Sequence, residues 1–356
     1  MTAAWDADTF RHDVQRVLGG FVDEQAARLA PLGDDAARLV EAARAALAGG
    51  KRFRAAFCAW GFRAVDAEPT DPDALVRAAA ALEVLHASAL VHDDYMDASD
   101  TRRGRPATHK AFESLHREHG WAGDPRQYGA AAAILLGDLL LSWSDELLRL
   151  CGLPHDLVRD ALVFFDTTRS EVIAGQFLDV SVQARGESDV EQAMRVLRYK
   201  SAKYSIERPL HVGAALAGGS AEVLDALSRF GLPLGEAFQL RDDLLGVFGD
   251  SAVTGKPSGD DLREGKRTVL VAIARELMPQ GARRAVDELL GDADLDDAQV
   301  RMLQNTIADC GAVDEVEALI SRNVRTAIAA VGASPLSRRA ITQLSELAET
   351  VTTRSA

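Results

Sequence analysis

Apolar residues recur along this chain at spacings of three and four, which is the period of a helix with one buried face. Eight segments show the pattern, at residues 36–47, 75–91, 130–150, 157–178, 190–204, 221–247, 268–277 and 313–331. The strict alternation that marks a half-buried strand is nearly absent. We therefore predict an all-α fold in which helices pack on helices.

Glycine and proline residues mark where these helices begin and end. Asp71 followed by Pro72 has the form of an N-cap with proline at the first helical position. Pro154 opens a further helix shortly after Gly152 ends the previous one. The length of 356 residues fits one large helical domain or two smaller ones.

The composition is ordinary for a soluble globular protein with a large core, since 47% of the residues are hydrophobic and 26% are charged. The longest apolar run, residues 130–141, is broken by Gly137 and Asp138 and is too short to span a bilayer. The first residues lack the basic start and apolar stretch of a secretion signal. The three cysteines are widely spaced and suggest neither a disulfide framework nor a zinc cluster. We expect a cytoplasmic protein without a membrane span.

The net charge of −14 argues against a nucleic acid partner, because phosphate backbones require basic surface. It does not exclude a small anionic substrate, because total charge describes the far field and a site is built from local groups. Basic residues do cluster locally, at residues 51–54 and 102–105, at Lys200 with Lys203, and at Lys256 with Lys266. These clusters are candidate phosphate-binding groups.

Two aspartate-rich segments, residues 92–97 and 239–243, give the strongest chemical signal. On a helix Asp93 and Asp97 share one face, one turn apart, where like charges repel unless a cation lies between them. Oxygen ligands of this kind suit Mg²⁺, which takes much of its remaining shell from water and substrate phosphates. The pair therefore indicates chemistry on a diphosphate. A solvated acidic face is the commoner origin of such a string when it stands alone.

The second segment repeats this geometry, because Gln239, Asp242 and Asp243 fall at i, i+3 and i+4 of one helix. Two acidic helix ends that face each other across a cleft would hold metal ions between them. His86 lies on the Asp93 face, where a hydrogen-bonded core histidine is the ordinary alternative. The charged loop at 249–265 directly follows the second segment. We interpret it as a lid, with a solvent-exposed connector as the alternative.

Six segments, in order from Gly49 to Thr268, resemble motifs of the trans-isoprenyl diphosphate synthases, the polyprenyl synthetase family. They are residues 49–54 (GGKRFR, with Ala55 where the family has proline), 86–97 with the RRGRP tail at 102–106, 175–179 (GQFLD), Lys200-Ser201, 238–243 (FQLRDD) and 255–266. The resemblance implies an isoprenoid synthase fold, a single large helical bundle around a deep central cleft. It also implies one domain over residues 1–356, with the motifs inside residues 36–280, and a homodimer.

The resemblance further implies a prenyltransferase that ionises an allylic diphosphate and condenses it head-to-tail with isopentenyl diphosphate. About three Mg²⁺ ions would be held by Asp93, Asp97 and Asp242. The allylic diphosphate would be bound by Arg102, Lys200, Lys256 and Lys266. Isopentenyl diphosphate would be bound by Lys51, Arg54, His86 and Arg103. The allylic cation would be stabilised by the Lys200 carbonyl, Ser201 and Gln239.

The chain departs from the family pattern at two of these positions. Gly246 stands where the second motif has its third carboxylate, and Ser201 replaces a threonine. The serine keeps the hydroxyl group. For the glycine we expect weaker metal affinity at the second motif, with Asp260 or Asp261 contributing through water. A Mg²⁺ titration of the activity of Gly246→Asp would test this expectation.

Product length in this family depends on how far the prenyl tail extends below the first motif. Ser88 and Ala89 are small residues at positions where farnesyl-forming members commonly have a bulky aromatic residue. The next residue on the same face is Leu82, roughly 16 Å below Asp93. We expect geranylgeranyl diphosphate as the product, with longer polyprenyl diphosphates as the alternative. We also expect Ser88→Phe to shorten the product toward farnesyl diphosphate.

Two other functions fit part of the sequence. A class I terpene cyclase shares the helical fold and the first metal motif, but it does not need Lys51, Arg54 and Arg103 for a second diphosphate. A non-catalytic regulatory subunit would have lost motif aspartates or lysines, and here almost all of them are present. The sequence does not predict the preferred allylic primer or the pathway that the product enters.

Overall fold

The structure, a computed structural model, describes residues 6–65, 71–186, 189–249, 258–292 and 294–352. Over this range the regular structure is helical apart from one short hairpin, which confirms the all-α prediction. The chain groups into two compact units. The first unit is Met1–Leu162 with Val212–Gly219, and the second is Val163–His211 with Ser220–Ala356. A single domain over 1–356 stays a prediction.

The first unit is built around one long apolar helix, α4. Its helices are α1 (Ala7–Leu29), α2 (Asp34–Ala46), α3 (Phe53–Ala64), α4 (Pro72–Met96), α5 (Thr108–Glu118), α6 (Pro125–Arg149) and the first part of α7 (His155–Arg185), with a 3-10 turn at Ala30–Leu32 and a hairpin of β1 (Thr101–Arg102) and β2 (Arg105–Pro106). Helix α4 packs against α1, α3 and α6, and α5 packs against α6. The end of α4 and the hairpin that follows it hold the first aspartate-rich motif and its basic tail.

Helix α4 is a buried core helix. The Asp71 side chain accepts a hydrogen bond from the backbone N–H of Asp73, and Pro72 occupies the first turn, as predicted. Alanine and leucine side chains are buried around most of the helix, which lets three neighbouring helices approach it. By length and composition α4 could cross a membrane. However, 78% of its most apolar 18-residue window is buried inside the protein, as in the core helix of a globular protein.

The second unit has helix α10 at its centre. Its elements are the rest of α7, α8 (Val190–Val196), a π-helix (Leu197–Glu207), the start of α9 (Arg208–Leu216), α10 (Ala221–Phe248), α11 (Asp260–Glu264), α12 (Val269–Leu277), α13 (Gln280–Leu289), α14 (Asp297–Asp309), α15 (Ala312–Gly332) and α16 (Arg338–Thr352). Helix α10 packs mainly against α15 and the π-helix. The motif-free C-terminal helices contribute Val286, Leu303 and Val316 to the same apolar cluster as Leu240 and Leu244 of α10. These helices therefore pack around the core of the second unit.

The structure differs from the sequence prediction at residues 197–207. The periodicity over 190–204 predicts one α-helix, whereas α8 leads into eleven residues of π-helix. Because π-turns bond i to i+5 and are energetically poor, they are rare and frequently occur at functional sites. This segment contains Lys200 and Ser201, two of the predicted site residues.

Candidate active site

The first aspartate-rich motif divides its carboxylates between two environments. Asp94 is buried and accepts a hydrogen bond of 2.8 Å from Arg102 Nε and a second one from Arg102 Nη2. The same guanidinium lies 3.9 Å from Asp93 Oδ2. Asp93 and Asp97 are half-buried and lie one turn apart. The chain therefore neutralises the inner aspartate with arginine and presents the two outer ones at the surface of the unit.

A partly exposed face of α4 continues below these outer aspartates. His86, Ala89 and Leu90 are half-buried on the side of the helix that also carries Asp93 and Asp97. Leu82 lies about two turns farther from Asp93 than Ala89 does. It is 1% exposed, so the partly exposed face ends there. Ser88 lies on the opposite side, where its hydroxyl donates a 2.7 Å hydrogen bond to the Gly137 carbonyl of α6.

The basic tail of the motif forms a two-residue hairpin turn. Thr101 pairs with Pro106 and Arg102 pairs with Arg105. The two turn residues, Arg103 and Gly104, have φ values of 52° and 71°, as a tight hairpin of type I′ requires. A non-glycine residue with positive φ is strained, and such strain clusters at functional sites.

Arg102 and Arg103 are neighbours in sequence but have different partners. Arg102 bonds to Asp94, whereas Arg103 Nη1 donates a 2.8 Å hydrogen bond to the Ala48 carbonyl. The Arg103 guanidinium also lies against Gly50. A Cβ atom added at Gly50 would be 3.2 Å from Nη2 of Arg103. The hairpin thus directs one arginine to the acidic motif and the other to the glycine-rich loop before α3.

A buried ion pair holds the start of α3, and sequence analysis missed it. Arg52, with φ of 56°, contacts Glu83 of α4 at 3.4 Å and donates to Gln15 of α1 at 2.6 Å. Glu83 also accepts a 3.0 Å hydrogen bond from the Ala55 backbone N–H, one of the unpaired donors at the helix N-terminus. A glutamate inside the apolar stretch of α4 was the available signal. This pair fixes the backbone of the segment that carries Lys51 and Arg54.

The electrostatics of this part of the site favour an anion. Burial and the charges of Arg54 and Arg103 hold the pKa of His86 well below its usual range, so the ring is neutral. Burial and the neighbouring Arg52 also lower the pKa of Arg103. Cations that destabilise one another in this way are stabilised by a bound anion, and a diphosphate supplies the needed charge.

The second motif repeats the division seen in the first. Asp243 is buried and accepts a 2.9 Å hydrogen bond from Gln239 Nε2, while Asp242 is half-buried. Burial raises the pKa of Asp243 to about 7, and the nearby charges of Asp261 and Asp242 add to the rise. The inner carboxylate is again held by the chain, and the outer one lies nearer the surface.

Lys200, on the π-helix, forms an ion pair with the GQFLD segment. Its Nζ lies 2.5 Å from Oδ2 of Asp179, which is buried. Lys203, which the sequence grouped with Lys200, instead contacts Glu171 at 2.7 Å. Ser201 lies next to Lys200 and is half-buried.

Two glycines allow α7 and α10 to approach the π-helix backbone closely. A Cβ atom at Gly175 of α7 would lie 2.5 Å from the Lys200 backbone nitrogen. A Cβ atom at Gly235 of α10 would lie 2.4 Å from the Ala202 carbonyl oxygen. Any larger residue would displace the π-helix, so these glycines fix where the Lys200 and Ser201 backbone lies.

Of the two loop lysines, Lys266 is described and Lys256 lies outside the described residues. Lys266 Nζ lies 2.5 Å from Glu264 and 3.4 Å from Asp261. Residues 250–257 of the predicted lid also lie outside the described residues, so the role of Lys256 and the lid stay predictions.

The donor set fits a magnesium ion that keeps substrate and water ligands. Within the described ranges no three histidine, cysteine or acidic side chains are arranged to hold a metal by themselves. Mg²⁺ commonly binds through one or two carboxylates and takes its other ligands from phosphates and water. The half-buried pair Asp93 and Asp97, and the half-buried Asp242, match that incomplete set.

A family model described as polyprenyl synthetase matches residues 36–307. The chain belongs to the polyprenyl synthetase family. This confirms the resemblance derived from the motifs, all of which lie inside the matched region.

Relatives and solved structures agree with this family. The geranylfarnesyl diphosphate synthase of Natronomonas pharaonis is 34% identical over 291 residues, 78% of this chain and 79% of that protein. The geranylgeranyl diphosphate synthase of Methanosarcina mazei is 33% identical over 76% of each chain. A geranylgeranyl pyrophosphate synthase from Corynebacterium glutamicum, solved with isoprenyl diphosphate and magnesium, is 39% identical with a TM-score of 0.95, covering 99% of this chain and 100% of that one. The isoprenoid synthase fold and the assignment as a prenyltransferase are thereby confirmed.

The position of the π-helix gives a prediction for Gly235→Ala. The new methyl group must displace the Ala202 carbonyl by about 1 Å, and a misplacement of that size can lower turnover roughly 100-fold. We expect that loss in a variant whose circular dichroism remains helical. Gly20→Ala is the matched control, because Gly20 is exposed in α1 and nothing lies within 4 Å of its added Cβ. Wild-type turnover in folded Gly235→Ala would show that the close approach does not position the site.

Proposed function

We propose that the protein condenses an allylic diphosphate with isopentenyl diphosphate in a Mg²⁺-dependent reaction, and that its product is geranylgeranyl diphosphate. The divergence of Arg102 and Arg103 supports this most directly. One arginine bonds to the acidic motif and the other to the glycine-rich loop that precedes Lys51 and Arg54. Two separate cationic groups suit two diphosphates, whereas a terpene cyclase binds only one.

The allylic diphosphate is bound through the aspartates of the two motifs. Asp93, Asp97 and Asp242 hold about three Mg²⁺ ions, and the contacting cations are Arg102, Lys200, Lys266 and Lys256. When bound, Mg²⁺ neutralises the charge that develops on the leaving diphosphate. Asp94 keeps the Arg102 guanidinium in place through two hydrogen bonds, so that it need not reorganise during the reaction.

Isopentenyl diphosphate is bound by the other cationic group, formed by Lys51, Arg54, His86 and Arg103. His86 is neutral at physiological pH because its pKa is strongly lowered, so it contributes a hydrogen bond and no charge. The Arg52–Glu83 pair holds the backbone that presents Lys51 and Arg54. The double bond of this substrate attacks the allylic cation, and the proton lost afterwards goes to the released pyrophosphate.

The allylic cation is stabilised by oxygen atoms of the second unit. The Lys200 carbonyl and the Ser201 hydroxyl are held by the π-helix. Since Gln239 donates Nε2 to Asp243, its carbonyl oxygen is the atom that remains to face the cation. Water must be excluded from this region, because a cation of this kind is otherwise hydrolysed.

The direct test is to incubate purified protein with isopentenyl diphosphate, Mg²⁺ and allylic diphosphates of increasing length, and to size the products. Geranylgeranyl diphosphate is the expected product. A ladder of longer prenyl diphosphates would identify a longer-chain synthase. A cyclic hydrocarbon made without isopentenyl diphosphate would contradict the proposal in favour of a cyclase, and the absence of product with every primer would contradict it in favour of a regulatory subunit.

Chain length gives a prediction at Ala89. Its side chain lies on the partly exposed face below Asp93, so Ala89→Phe places a ring in the path of the growing tail. We expect the main product to shorten to farnesyl diphosphate, measured by chromatography of the dephosphorylated products.

The variant Ser88→Phe separates a change in product length from a loss of stability. Its side chain is directed toward α6 and away from the partly exposed face, so the ring displaces that helix and shortens the product less than Ala89→Phe does. We expect a lower melting temperature in Ser88→Phe and not in Ala89→Phe. An unchanged product in both variants would show that this face of α4 does not line the path of the tail.

We also propose that the protein is a cytoplasmic homodimer. Each unit exposes large apolar side chains that a second copy would cover, among them Ile134 and Leu135 of α6 and Phe177 of α7, which is 74% exposed. Light scattering that gives the mass of one chain, at concentrations where the enzyme is active, would contradict the dimer.

A further inference from the structure

The end of α4 carries the aspartates of the first motif, although their charges destabilise it. Asp93 and Asp94 lie in the last turn of the helix, and Asp97 is its C-cap. Negative charge is unfavourable at a helix C-terminus, because the helix dipole is itself negative there. Asp93 and Asp97 also repel each other across one turn. The last turn of α4 therefore needs contacts with other elements to keep its helical form.

The backbone that follows this turn is strained. Ala98 has a φ of 55°, in the left-handed conformation that usually requires glycine at this position after a helix. The Ser99 backbone N–H donates a 2.9 Å hydrogen bond to the Asp94 carbonyl. The Ala98 N–H donates to the Tyr95 carbonyl at 3.3 Å, which completes a Schellman motif. An alanine in this conformation is strained, so the motif ends the helix with less stabilisation than glycine would give.

His92, which directly precedes Asp93, connects the end of α4 to α6. Its Nε2 atom lies 3.2 Å from the Ile134 carbonyl oxygen and 3.6 Å from Asp138 Oδ1. Because a carbonyl oxygen can only accept, Nε2 carries the hydrogen and donates it. The His92 side chain is 29% exposed, so most of the ring is covered. The contact therefore ties the residue next to Asp93 to the backbone of a neighbouring helix.

Gly137 of α6 provides the space in which this ring lies. A Cβ atom at Gly137 would lie 2.0 Å from Nε2 and 2.3 Å from Cδ2 of His92, so even alanine would overlap the ring. Gly137 lies inside α6, where glycine is otherwise unfavourable. One turn before His92, Ser88 donates its hydrogen bond to the Gly137 carbonyl. Residues 88 and 92 share a face of α4, so this face is held against α6 at Gly137.

From these contacts we infer that His92 is a positioning residue for the first motif. It holds the last turn of α4 against α6, in the space left by Gly137, and so keeps Asp93 and Asp97 on one face in the spacing that a metal ion needs. The inference rests on the proposed function, in which these two aspartates bind Mg²⁺. His92 acts through the backbone of α4 and is not itself a metal ligand.

Variants on both helices test this inference. His92→Ala removes the ring, and His92→Gln keeps an N–H donor near the position of Nε2. Gly137→Ala fills the space from α6, and the double variant His92→Ala/Gly137→Ala completes the cycle. His155→Ala, at an exposed position of the same unit, is the control. Hydrogen exchange over residues 93–99 is measured without metal, and Mn²⁺ affinity is measured by electron paramagnetic resonance with inorganic pyrophosphate present.

We expect faster exchange over residues 93–99 in His92→Ala, because the helix end has lost a contact that holds it. Mn²⁺ affinity falls about 10-fold, as when a residue that orients metal ligands is removed. Gly137→Ala shows both changes, because its methyl group displaces the ring. The double variant loses no more than the single variants, since all three remove the same contact. His92→Gln and the control His155→Ala keep values near those of the wild-type protein.

Wild-type Mn²⁺ affinity in His92→Ala would overturn the inference, even with faster exchange, because the residue would then stabilise the helix without positioning the aspartates. Losses that add in the double variant would also overturn it, as would a His92→Gln variant no better than His92→Ala. A wild-type protein that bound no Mn²⁺ with pyrophosphate would instead contradict the proposed function. Hydrogen exchange needs neither metal nor turnover, so it would still show whether His92 holds the end of α4.

Discussion

Repulsion between adjacent carboxylates is the constraint on which this site depends. Each aspartate-rich motif places two aspartates side by side on one helix, and in each the chain stabilises the inner member. Arg102 bonds to Asp94, and Gln239 bonds to the buried Asp243. The outer members, Asp93 and Asp242, lie half-buried, where a hard cation can reach them. Each motif thus has one carboxylate that the chain itself holds, and its outer carboxylates, Asp93 and Asp97 in the first motif and Asp242 in the second, are those proposed to bind metal.

The second requirement is that neighbouring elements of the chain approach one another closely. The π-helix is placed by Gly175 and Gly235, the hairpin turn by Arg103 and Gly104 in left-handed conformations, and Asp261 by the open space at Gly246. In each case a small residue or a strained one lets a polar group approach another element. The cost of such strain, roughly 1 to 3 kcal/mol per residue, is offset by packing elsewhere in the unit.

Much of this could be predicted from the sequence because the relevant signals are local. Helical periodicity and the Asp71-Pro72 cap predicted α4, and motif spacing placed Asp93, Asp97 and Asp242 on the faces that the structure shows. The π-helix could not be predicted, because its geometry depends on close approach by two other helices. The Arg52–Glu83 pair joins residues on different elements, so a glutamate in an apolar stretch signals a buried partner without indicating which residue it is. The position of the Asp261 carboxylate against Gly246 likewise depends on how two separate elements, α10 and α11, pack together.

The central claim, that the inner and outer aspartates have different roles, is tested most directly by calorimetric titration of pyrophosphate at a series of Mg²⁺ concentrations. Asp93→Asn and Asp94→Asn are compared with the wild-type protein. The account predicts that Asp93→Asn raises the Mg²⁺ concentration needed for binding. Asp94→Asn should weaken pyrophosphate affinity through Arg102 and leave the Mg²⁺ requirement unchanged. An equal rise in the Mg²⁺ requirement in both variants would contradict the account.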